Sequence, residues 1–190
     1  MLPVGGVKGV IRLIGAGGAG KTTVGLALAN RLGIPFIDLD QQFTLHAGDI
    51  SEYLAVHGYP RYAQQNVQVY LDTLGSSSKE VVFALSSGFM TYGDDIHPDY
   101  LPISREIVTS PTTVALFPSF DYETCVRETV RRQLLRPFAR SREREEQVIR
   151  SRFDLYWKLP TSKCETMKPV DAVVEAMLTH LSCHWVGGAQ

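Results

Sequence analysis

Residues Leu13 to Thr23 read LIGAGGAGKTT, and no other stretch limits the possible folds of this chain so strongly. Gly15 to Thr22 satisfies the spacing G-x-x-x-x-G-K-[ST]. In that pattern backbone N–H groups unobstructed by Cβ atoms turn inward around a phosphate, and the following helix adds the positive end of its dipole. Lys21 is then placed to reach the β- and γ-phosphates, and the Thr22 hydroxyl to ligate Mg²⁺. The flanks supply the context the motif needs. Val10 to Ile14 is a short apolar run that reads as a buried strand. Lys21 to Leu32 carries Val24, Leu26, Leu28 and Leu32 at roughly helical spacing, with Gly33 as the stop. Nucleotide contacts are therefore expected from Gly15, Gly17, Gly18, Ala19, Gly20, Lys21, Thr22 and Thr23. A rival dinucleotide pattern, G-x-G-x-x-G with an acid about 20 residues later, fits loosely through Gly15, Gly17, Gly20 and Asp38. It leaves Lys21 and Thr22 unexplained, whereas a triphosphate site requires them, and it is set aside.

Along the rest of the chain, short apolar runs alternate with helical patterns. IPFIDLD (Ile34 to Asp40) reads as a second strand with acids at its end, and helical segments follow over Ile50 to Val56 and from Pro60 to Gly75. EVVFAL (Glu80 to Leu85) and TTVALF (Thr112 to Phe117) are further buried-strand candidates. After Ser119 come a helix, an Arg-rich segment and a second helix reaching about Trp157, and Pro169 opens a last amphipathic helix. This alternation predicts an α/β fold with a mostly five-stranded parallel sheet covered by helices on both faces.

The 190 residues suit a single domain. The net charge of −1 supplies no global field toward nucleic acid or membrane, and neither is expected as a partner. Three cysteines without a CxxC, and no basic leader or membrane-length apolar run, suit a soluble protein of a reducing cytoplasm, as a monomer or weak dimer. Nine arginines fall between Arg127 and Arg152. Most read as a solvated face, since ARSREREEQ alternates sign and interspersed glutamates cancel an RNA-binding patch.

From Arg12 to Leu181 the chain resembles the shikimate kinase family of small P-loop kinases, most closely from Ile11 to Asp40, with the D-x-D at Asp38 and Asp40. GDISEYLAVHG is similar to the family's substrate-side helices, Arg136-Pro137 to its lid, and Arg152 with Tyr156 to its later R-x-x-x-Y. The resemblance implies a three-layer P-loop kinase fold, MgATP as the nucleotide, and a small-molecule acceptor. It implies Asp38 beside Thr22 in the Mg²⁺ shell and Asp40 as base toward the acceptor hydroxyl. It further implies Arg136 on the phosphates within an Arg-rich lid over about residues 133–147, Arg131 or Arg132 beside the adenine, and Arg152 as a bidentate clamp on an anionic acceptor group. Phosphoryl transfer needs such parts on chemical grounds: a metal-held triphosphate, an acid at the hydroxyl and cations around the moving group.

Two departures from the family pattern concern the acceptor. Where the family has G-E-x-x-F-R-x-x-E, this chain has GYPRYAQQN, with Ala63 at the arginine and Asn66 at the acid; Arg61, two residues earlier, would face another side of a helix. Where the family has G-G-G after its third strand, the chain has Ser86-Ser87-Gly88, which narrows the space and offers new hydrogen bonds. Arg61, Ser87, Gly88 and Arg152, with Asp40, are the expected acceptor contacts. A nucleotide-binding regulator that has lost the chemistry, and a nucleoside or nucleotide kinase of related fold, are the competing readings. Cys183 with His180 and His184 reads as a helix end rather than a metal site, and Tyr53, Tyr59, Tyr62 and Tyr70, in the acceptor lobe, as core or surface in preference to pocket lining.

Overall fold

The computed structural model of the chain describes residues 9–135 and 141–185. In chain order it contains β1 (Val10–Ile14), α1 (Lys21–Leu32), β2 (Phe36–Asp38), α2 (Leu39–Ala47), α3 (Ile50–Ser76), β3 (Val81–Ala84), a 3₁₀ turn (Phe89–Thr91) and α4 (Tyr100–Thr109). There follow β4 (Thr113–Phe117), α5 (Tyr122–Leu134), α6 (Arg142–Lys158), β5 (Ser162–Glu165) and α7 (Val170–Trp185). The strands form one parallel sheet in the order β2-β3-β1-β4-β5.

Helices cover both faces, as the alternating pattern predicts. On one face Val24 and Leu28 of α1 and Val173, Met177 and Leu181 of α7 pack on Ile11, Leu13, Val82, Val114 and Leu116. On the other, Phe43, Val67, Tyr70, Ile107, Phe153 and Tyr156 pack on Ile14, Phe83, Ala115 and Phe117. β3 and β4 are buried along their whole length, so their runs are continuously apolar. Arg12 is the exception in the central strand. Its guanidinium donates to the Tyr70 hydroxyl at 2.9 Å and to Glu106 at 2.7 Å, which satisfies the buried charge.

The structure departs from the sequence expectations in three places. The strand read over Ile34 to Asp40 ends at Asp38, whose carboxylate caps α2 by accepting from the Asp40 N–H at 3.0 Å. Asp40 therefore stands in the first turn of a helix and not beside Asp38 on a strand end. Helix α4 and edge strand β5 were not anticipated. β5 reads SKCE and is only half-buried, so it carries no apolar run. The two helices expected around Gly58 are joined into α3 across a kink, where Gly58 has φ 74° and ψ 169°. No helix among the described residues is long and apolar enough to cross a membrane. In parallel α/β sheets, ligands bind beyond the carboxyl ends of the strands. The loops after β1, β2 and β3 meet there.

Candidate functional site

The turn from β1 into α1 is built around left-handed glycines: Gly15 has φ 141°, Gly18 83° and Gly20 98°. A Cβ on Gly15 would stand 2.6 Å from the Leu116 carbonyl oxygen, and one on Gly17 would run into the Gln133 side chain. At Gly15 the positive φ and the close carbonyl exclude a Cβ, whereas at Gly17 the obstruction is the far end of a flexible side chain. Lys21 folds back over the loop, its Nζ donating to the carbonyls of Gly15 at 2.7 Å and Ala16 at 3.1 Å. Ala19 is buried and contributes only backbone; its carbonyl accepts from Thr166 Oγ1 at 2.7 Å.

The Thr22 hydroxyl donates to Asp38 Oδ2 at 2.7 Å. The two residues expected around a divalent cation thus meet at the mouth of the loop, in a hard-oxygen donor set suited to Mg²⁺. On the outer side of the loop, Gly18, Gly20, Thr23, Arg132, Leu135, Thr166 and Val170 line a cavity of about 340 Å³. Arg132 borders it, donating to the Gly18 carbonyl at 3.3 Å and the Thr166 carbonyl at 3.2 Å while Glu128 holds its Nε at 2.8 Å. Arg131 pairs with Glu128 and is exposed, so of the two alternatives Arg131 and Arg132 it is Arg132 that borders this cavity.

A second cavity, of about 590 Å³, opens at Ala16 and Gly17 and runs inward to Asp40. Ile50, Leu54, Tyr59 and Tyr62 form one wall, and Ser87, Gly88 and Arg152 another. Arg152 Nη1 donates to Ser87 Oγ at 3.1 Å, and the buried Tyr156 hydroxyl donates to the Ser87 carbonyl at 3.1 Å. A Cβ on Gly88 would lie 2.8 Å from the Tyr59 hydroxyl and 3.2 Å from Arg152 Nη2. Glycine leaves the face between those two donors open. Burial first, and then the Asp40 charge, push the pKa of the Tyr62 hydroxyl well above its ordinary value, so it stays protonated as a donor.

Asp40, Ser87, Gly88 and Arg152 are therefore brought together, one loop away from Lys21 and Thr22. Arg61 is not. It is exposed, its Nη1 donates to Gln64 Oε1 at 3.1 Å, and it borders separate cavities beside Gln64. Two residues of helical offset turn it to another face, and it does not stand in for the arginine absent at Ala63, which is buried. Arg136 lies outside the described residues. Of the expected lid, 133–134 close α5 and 142–147 open α6.

Of the tyrosines, Tyr62 and Tyr70 belong to the core and Tyr59 is exposed, and Tyr59 and Tyr62 also line the second cavity. Gln133, Arg144 and Glu145 also border that cavity and were not anticipated. Tyr59 lies in Gly58-Tyr-Pro60, directly after the backbone break at Gly58.

The family model for shikimate kinase matches residues 17–182. A shikimate kinase of Chlorobaculum parvum is 39% identical over 82 residues, so the match spans only 43% of this chain and 43% of that relative. A shikimate kinase of Enterococcus faecalis is 31% identical over 137 residues, 72% of this chain and 74% of the relative. The solved shikimate kinase from Acinetobacter baumannii in complex with shikimate shares the fold with a TM-score of 0.70 at 25% identity, with 96% of each chain covered. The matched span takes in the phosphate loop from Gly17 onward, the Asp38 and Asp40 pair and Arg152, and on that basis the chain belongs to the shikimate kinase family.

Proposed function

We propose that the chain is a small-molecule kinase that moves the γ-phosphoryl group of MgATP to a hydroxyl of a small polar metabolite carrying one anionic group. The observation that carries this reading is that both cavities border the phosphate loop, one at Gly18 and Gly20 and the other at Ala16 and Gly17. Thr22 and Asp38 meet at 2.7 Å on one side of it, and Asp40 and Arg152 line the space on the other. MgATP supplies the transferable phosphoryl group and screens its charge. The residues of the chain do the rest. The loop N–H groups and Lys21 bind phosphate, Thr22 and Asp38 hold the cation, and Arg132 borders the base. Asp40 orients the acceptor hydroxyl and accepts its proton.

Arg152 and the Tyr59 hydroxyl, facing each other over Gly88, hold the anionic group of the acceptor. A phenol hydroxyl in place of a second guanidinium is the weaker donor. Loss of one charge-assisted bond costs about 2–3 kcal/mol, roughly 30- to 150-fold in affinity. The acceptor therefore differs from shikimate, or shikimate binds weakly.

The test is ADP release with shikimate, quinate and other polyhydroxy acids. Efficient turnover of an anionic polyol, with shikimate poorer than another acid, is expected. Shikimate turnover at full efficiency would overturn the altered acceptor. Tight ATP binding without stimulation by any acid would favour a nucleotide-binding regulator instead.

A further inference from the structure

We propose that Ser86 and Asn66 are positioning residues for Asp40, an inference that rests on Asp40 meeting the acceptor hydroxyl. Three hydrogen bonds link four side chains in one direction. The Tyr92 hydroxyl donates to Asn66 Oδ1 at 3.1 Å, Asn66 Nδ2 donates to Ser86 Oγ at 3.1 Å, and Ser86 Oγ donates to Asp40 Oδ1 at 2.5 Å. Asn66 is fully buried, and Ser86 and Tyr92 are nearly so.

The proton inventory fixes the direction. A hydroxyl has one proton, and an ionised carboxylate only accepts. If the Asn66 amide were turned over, its buried oxygen would face a Ser86 hydroxyl whose single proton goes to Asp40. With the nitrogen toward Ser86, each of the three bonds has its own proton and the last is delivered onto Asp40, while the Tyr62 hydroxyl packs beside Ser86 and Tyr92 in the same cluster. In a dry interior such a satisfied chain holds its members rigidly.

Two departures from the family pattern then become one device. Asn66 stands where an acid is expected and Ser86 where a glycine is expected, and they touch. An acid at 66 could not donate to Ser86, and a glycine at 86 would leave Asn66 without a path to Asp40. The Asp40 backbone is fixed by the Asp38 cap and its carboxylate by Ser86. The Ser86 and Asn66 side chains behind the carboxylate are both neutral.

Kinetics of Ser86→Ala, Asp40→Asn and the double variant, with the best acceptor, test the role. Ser86→Ala is expected to lower kcat about 10- to 100-fold, with KM for ATP within about twofold. In the Asp40→Asn background the same change is expected to cost less than about twofold. An unchanged kcat, or an equal loss on top of Asp40→Asn, would overturn the inference. Asn66 side-chain amide signals, followed by ¹⁵N NMR in the Asp40→Asn protein, test the linkage without any acceptor. A shift relative to the unsubstituted protein is expected, and signals that stay put would overturn it. Absence of acceptor turnover in the unsubstituted protein would sink the proposed function, and the amide signals would then decide this inference alone.

Discussion

At Gly15 the backbone φ of 141° and the Leu116 carbonyl 2.6 Å from any Cβ act together. Gly15→Ala is expected to cost at least about 1–3 kcal/mol in strain alone, read as a lower midpoint in urea unfolding. An unmoved midpoint would mean that the loop adapts. At the acceptor end two arginines separate cleanly. Arg152→Ala is expected to raise the acceptor KM roughly 30- to 150-fold while sparing that of ATP, the loss of a charge-assisted clamp. Arg61→Ala should change neither by more than about twofold, because Arg61 borders other cavities. The phosphate loop was legible in the sequence because strand, turn and helix are contiguous there, whereas the Thr22–Asp38 meeting, 16 residues apart, was implied only by the family resemblance. The tyrosines were legible only as a group in the acceptor lobe, because aromatic residues pack in cores by default and nothing in the sequence singles out Tyr59 and Tyr62 as the two that line a cavity. Ser86 was legible as a tighter space but not as a donor to Asp40, since that bond spans 46 residues of sequence.

Among elements, α3 shows how a single residue aims a wall. Gly58 at φ 74° and ψ 169° breaks the helix, and Pro60 opens the next turn. Gly58→Ala is expected to raise the acceptor KM more than the ATP KM, because Tyr59 would lose its place over Gly88; equal effects would point to general unfolding. On α5, hydrogen bonds from Arg131 and then Arg132 pull the Glu128 carboxyl from 4.5 down to about 2. A depressed carboxylate stabilises the fold fully above its unfolded pKa and ceases to do so as the pH falls through its folded one. The stability difference between the unsubstituted protein and Glu128→Gln should therefore be full above pH 4.5 and close toward pH 2 in acid-unfolding curves. A gap independent of pH would contradict the pairing. Helix α2 was hidden from sequence reading because Asp38 both ends a strand and caps a helix, with no turn residue between them. Strand β5 was hidden because an edge strand that is half-buried needs no apolar run.

At the scale of the whole molecule, the parallel sheet and its two helical layers were legible from the alternation of apolar runs and helical patterns, since parallel strands require crossover helices. What alternation could not supply was the strand order β2-β3-β1-β4-β5, which sets the loops after β1, β2 and β3 side by side. That order puts the phosphate loop, Asp38 with Asp40, and Ser86 to Gly88 at one end of the sheet, with Arg152 arriving from α6. Phosphoryl transfer between the two cavities is the central claim, and phosphorus NMR of the reaction mixture tests it most directly. With ATP, Mg²⁺ and the acid that best stimulates ADP release, a new phosphate-ester signal should grow in step with ADP, and Asp40→Asn should abolish it. ADP accumulating with inorganic phosphate alone, or ester formation untouched by Asp40→Asn, would contradict the account.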